Sequence, residues 1–65
     1  MPQKIRELVA ALRKAGFSER SGKGSHRRFY HPKYNGALTI SGKLSEDARP
    51  YQESEVKEAI EEVKR

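Results

Sequence analysis

Apolar residues near the start of the chain recur at Ile5, Leu8, Val9 and Leu12, the i, i+3, i+4, i+7 spacing that lays one stripe along a helix. The pattern predicts a helix over residues 2–15. Pro2 suits a first helical position, and Gly16 suits the left-handed residue that closes a helix, with Phe17 free to fold back onto the stripe. From Phe17 to Ile40 the period changes. Ser25-His26-Arg27-Arg28-Phe29-Tyr30-His31 carries no 3.6-residue stripe and is bounded by Gly22 and Gly24 on one side and by Pro32, Asn35 and Gly36 on the other. These signals predict three short antiparallel strands, residues 17–21, 25–31 and 37–40, joined by SGKG and PKYNG turns. Residues 41–50 read as a polar connection. Val56, Ala59, Ile60 and Val63 then form a second helical stripe, with Ser54 as its N-cap, Glu53 and Glu55 before it and Lys64 and Arg65 after it, the charge order a helix dipole favours.

Strand alternation places Arg27, Phe29 and His31 on one face of the second strand and His26, Arg28 and Tyr30 on the other. Phe29 marks the core face, with Leu38 and Ile40 supplying core contacts from the third strand. Both helices must bury their stripes, and one sheet face is available to them. The expected architecture is therefore a two-layer α+β domain of order α-β-β-β-α, with a three-stranded antiparallel sheet and both helices on one face, like a double-stranded-RNA-binding domain. A chain of 65 residues is expected to form one domain, residues 1–65, whose core is too small to enclose a deep cavity, so a functional site must lie on the surface.

Composition narrows the chemistry. The absence of cysteine excludes a disulfide framework and a cysteine zinc site. Charges interrupt the apolar residues of the N-terminal region, so no signal peptide or membrane span is expected there and a cytoplasmic location is the default. The net charge of +5 is unevenly spread: residues 1–44 hold ten Lys/Arg against two Asp/Glu, whereas residues 45–65 hold four against seven. Within the basic part, residues 20–33 carry Arg20, Lys23, Arg27, Arg28 and Lys33 with no acidic residue, together with His26 and His31. A diffuse excess of this size would read as a solubilising surface. Concentrated beside aromatic residues, it points to a polyanion such as nucleic acid.

Two histidines are the only candidates for neutral-pH proton transfer, and they lie on opposite predicted strand faces, which disfavours a shared metal. No phosphate loop, dinucleotide fingerprint or convincing serine–histidine–acid set is present. An RNA phosphodiester is a substrate that so sparse a site can still cleave, because the attacking 2′-hydroxyl belongs to the substrate. His26 is the candidate acid or base. Lys23, Arg28 and Arg20 are candidates to steady charge on the phosphorus oxygens, and the Gly22-Lys23-Gly24 turn to point backbone N–H groups at a phosphate. Arg27 joins Lys23 and Arg28 as a candidate for salt-dependent phosphate binding, and Tyr30 is a candidate base platform. Each has a plainer alternative: a surface histidine, a tight hairpin, a cross-strand packing partner, and for His31 a structural strand end. Composition alone stops at a basic α+β domain suited to RNA.

Gly16-Phe17, then Arg20-Ser21-Gly22-Lys23-Gly24-Ser25-His26, then Phe29 and His31-Pro32, resemble the signature of the HicA (YcfA-like) toxin family. The resemblance is carried by about the first forty residues, and Ser41 to Arg65 departs from the family's pattern, Gly42 to Tyr51 standing where a short proline- and glycine-containing connection is expected. It implies a double-stranded-RNA-binding-domain-like fold and a metal-independent, mRNA-cleaving endoribonuclease, the toxin of a type II toxin–antitoxin pair. His26 would be its catalytic residue, with Gly24 and Ser25 positioning it. No cofactor is implied. The partner implied is a HicB-like antitoxin that covers the site, and an acidic partner surface would suit the basic region. The rival expectations are a non-catalytic RNA-binding module using the same basic face, and an interaction protein that only docks an acidic partner.

Overall fold

A computed structural model describes residues 3–21, 24 and 26–64. Its elements are helix α1 (Ile5–Lys14), strands β1 (Ser18–Ser21), β2 (Arg27–His31) and β3 (Tyr34–Ile40), and helix α2 (Pro50–Lys64). The strands form one antiparallel sheet in the order β1-β2-β3. This is the α+β layout that the hydrophobic periodicity predicts. No helix among the described residues is long and apolar enough to cross a membrane.

The predicted stripes are the core. Ile5, Leu8, Val9 and Leu12 of α1 and Val56, Ala59 and Val63 of α2 are buried together with Phe17, Phe29, Leu38, Ile40 and Ala48, and Ile60 packs partly buried against them. The sheet contributes alternate residues to this cluster and leaves Arg28, Tyr30 and Thr39 exposed, so both helices lie on one face. Gly16 closes α1 at φ +101°. The Phe17 N–H reaches the Leu12 carbonyl and the Gly16 N–H the Arg13 carbonyl, each at 3.0 Å, a paired closure that delivers Phe17 into the core.

Several predicted boundaries are corrected. Helix α1 begins at Ile5 rather than near residue 2, because Lys4 is extended and both Gln3 and Lys4 are tied to the polar connection: Ala48 N–H donates to Gln3 O at 2.6 Å and Lys4 bridges Asp47. The connection also supplies acceptors for the first helical amides, Glu46 O for Ile5 N–H at 2.9 Å and Leu44 O for Arg6 N–H at 3.1 Å, which no residue of the helix itself can satisfy. Pro2 lies outside the described residues.

Helix α2 begins at Pro50, so Ser54 is an exposed position inside it and not its cap. Proline fits the first helical position, and Gln52 Oε1 accepts the Arg49 N–H at 2.8 Å, which together start the helix a full turn early. Strand β3 begins at Tyr34 rather than Ala37. Pro32 and Lys33 alone make the turn, with the Lys33 N–H donating to His31 Nδ1 at 3.0 Å and Tyr34 pairing with His31. Because Phe29 pairs with Leu38, residues 35–37 oppose Tyr30 alone, and Gly36, at φ +84°, accommodates a bulge where a turn was expected.

Candidate active site

The register sets the outer sheet face. Arg20 of β1 stands opposite Arg28 of β2, which in turn stands opposite Thr39 of β3, and Ser18 stands opposite Tyr30. Arg20, Arg28 and Tyr30 therefore share the face turned away from the helices, as alternation predicted for the two β2 residues. The Arg20 guanidinium lies 5.8 Å from the centroid of the Tyr30 ring, within cation–π range. An open depression lined by Ser18, Arg20, Tyr30, His31 and Pro32 continues this surface. A planar cation held against an exposed aromatic ring offers phosphate contact and base stacking side by side.

His26 sits one residue before β2, not within it. Its exposed side chain is held through Nδ1, which lies 2.9 Å from Ser41 Oγ just past the end of β3. Since Arg27 pairs with Ile40, one further step along the ladder brings His26 level with Ser41, and alternation turns both toward the face of Arg28. With Nδ1 engaged by the hydroxyl, Nε2 is the nitrogen left to meet a substrate.

Arg27 does not join this group. It is half-buried on the helical side, with Nε 3.3 Å from Glu19 Oε2, and Glu19 Oε1 also accepts from Arg13 Nη2 at 2.5 Å. Alternation put Arg27 on the Phe29 face, and Glu19 on that face engages its charge, so it stands apart from Arg20 and Arg28. Gly24, at φ +63°, is exposed, and among the described residues no atom lies within 4 Å of where a Cβ on it would stand. Gly22, Lys23 and Ser25 lie outside the described residues. His31 ends β2, where its ring packs on Phe17 at 5.1 Å and its Nδ1 receives the Lys33 N–H. Among the described residues no three His, Asp or Glu side chains converge as metal ligands would.

The sequence reading missed Ser41 and Gln52. Gln52 is buried at 5% exposure, and its Nε2 donates to the Ser41 carbonyl at 3.0 Å. Its signal was present, since Gln52 falls four residues before Val56 on the stripe of α2, where a polar side chain needs a reason. Ser41 would have emerged from the β2–β3 register had the turn been placed at Pro32-Lys33.

Fold and site together define a small α+β domain with a cationic, aromatic sheet face and one solvent-facing imidazole held at its end. Its sequence matches the family model of the HicA toxin of bacterial toxin–antitoxin systems over residues 5–62, and the chain belongs to that family. No curated protein and no solved structure matches it. The match extends well past the first forty residues and covers all but the last three residues of Ser41 to Arg65, the stretch expected to depart from the family.

Proposed function

We propose that this toxin is a metal-independent endoribonuclease that cleaves mRNA with His26 as its proton-transfer group. The observation that carries the reading is the His26 imidazole, exposed, fixed through Nδ1 to Ser41 and set at the end of the face that bears Arg20, Arg28 and Tyr30. In the reaction the RNA 2′-oxygen forms a new bond to phosphorus as the bond from phosphorus to the 5′-oxygen breaks. One proton leaves the 2′-oxygen and one reaches the 5′-oxygen. His26 Nε2 handles one of these transfers and water, open to the exposed ring, handles the other. Arg28 and Arg20 neutralise charge growing on the phosphoryl oxygens, and Tyr30 stacks on an unpaired base. Lys23, Gly24 and Ser25, in the segment leading to His26, complete the phosphate contacts in this reading. A HicB-like antitoxin inhibits the toxin by covering this face, its acidic groups matched to the basic ones.

Cleavage of a labelled mRNA in excess chelator tests the proposal. Loss of a proton-transfer group lowers rates by about 10²–10⁴-fold, so His26→Ala is expected to lose cleavage while keeping the wild-type circular dichroism spectrum. A folded His26→Ala protein that cleaves at the wild-type rate refutes the assignment. Binding without cleavage by either protein favours the non-catalytic RNA-binding module instead.

A further inference from the structure

We infer that Ser41 is the positioning residue of His26, held in place by Gln52 from the core. The inference rests on the reading of His26 as the proton-transfer group and assigns its orientation to a second residue. Ser41 follows Ile40, which is 1% exposed and paired with Arg27, so the backbone before it is fixed by the sheet. Its own carbonyl accepts the Gln52 amide at 3.0 Å, so the backbone is fastened to α2 as well.

Gln52 uses both ends of its amide, Nε2 on Ser41 O and Oε1 on Arg49 N–H at 2.8 Å. A buried amide on a stripe position is tolerated only when it is bonded in this way, and what the arrangement secures is the place of Ser41 relative to the helix. Ser41 Oγ then stands 2.9 Å from His26 Nδ1 on a mount that neither the sheet nor α2 lets move.

A hydroxyl suits this duty. It accepts from Nδ1–H and donates to a bare Nδ1, so it holds the ring through both protonation states that a proton-transferring histidine passes through. A carboxylate in its place would hold only the protonated nitrogen and would place a negative charge beside the phosphate-binding face. Restricting the rotation of an exposed ring raises the fraction of time Nε2 is aimed at the bound phosphate, an effect on turnover rather than on RNA affinity.

The test compares Ser41→Ala, Ser41→Thr and His26→Ala with the wild-type chain, reading mRNA cleavage and the His26 ring-nitrogen resonances in ¹⁵N–¹H spectra. Ser41→Ala is expected to lower kcat by about 10- to 100-fold with KM for RNA little changed, by analogy with the loss of a hydrogen-bond partner that orients a metal-ligating histidine. The same variant shifts the His26 nitrogen resonances toward those of an unrestrained imidazole, and Ser41→Thr, which keeps the hydroxyl, restores both. If Ser41→Ala keeps the wild-type kcat and His26 spectrum while His26→Ala is inactive, the inference falls and the reading of His26 stands. A lowered kcat with an unchanged His26 spectrum and no rescue by threonine also overturns it, since that is the pattern of a general structural defect. An active His26→Ala protein removes the reading itself, and the inference with it.

Discussion

Gly16 adopts φ +101°, and a Cβ built there would stand 3.2 Å from His31 Nε2. Gly16→Ala therefore meets two penalties, the left-handed backbone and a close approach to a ring that is itself packed on Phe17. A loss of about 1–2 kcal/mol is expected from the backbone alone. Urea denaturation measures it, and the folded fraction should retain RNA cleavage because neither Gly16 nor His31 contacts the His26 end of the sheet. A variant as stable as wild type would show that the helix ends differently. Residues whose role is local were legible in the sequence: Gly16 and Phe17 from the helix closure, Phe29 from alternation, His31 from its place before Pro32. Ser41 was not, because its significance lies in a hydrogen bond across 15 positions of sequence, and that depends on a strand register no local pattern supplies.

At the scale of elements, the stripes of both helices and the existence of all three strands could be read directly, since periodicity is a property of the segment itself. Their starts could not. Helix α1 starts where Lys4 pairs with Asp47, β3 starts where Tyr34 pairs with His31, and in both cases a contact with a distant or folded-back segment overrides the local signal. The polar connection is consequently more than a linker, since residues 44–48 cap the start of α1 and bury Ala48. Gln52 joins that connection to α2. Gln52→Met keeps the volume and apolar packing but leaves the Ser41 carbonyl and the Arg49 N–H without their partners. The expected destabilisation is about 1–3 kcal/mol, the range for polar groups stripped of a bond, measured as a lowered urea midpoint with unchanged slope. An unaffected midpoint would show that water replaces the amide at both sites and that the buried glutamine is not what fastens α2 to the sheet end.

Across the whole molecule, the asymmetry of charge along the sequence becomes an asymmetry of faces, though not a uniform one. Arg20 and Arg28 stand opposite each other on the outer sheet face, while Arg27, between Arg28 and His26 in the chain, turns to the helical side and is engaged by Glu19. Counting cations in residues 20–33 treated the three arginines alike, whereas the pleat divides them. RNA binding measured over a range of salt concentrations separates them. For single-stranded RNA each neutralised phosphate contributes about 0.7 to the slope of log K against log salt, so the Arg20→Gln, Arg28→Gln double variant should flatten the slope by about 1.4. Arg27→Gln should leave the slope near wild type and instead lower stability by up to about 1 kcal/mol, through loss of a partly shielded ion pair. Should Arg27→Gln flatten the slope as much as each outer arginine does, RNA must reach around the sheet edge to the helical side. The outer face would then no longer define the footprint that the proposed antitoxin covers.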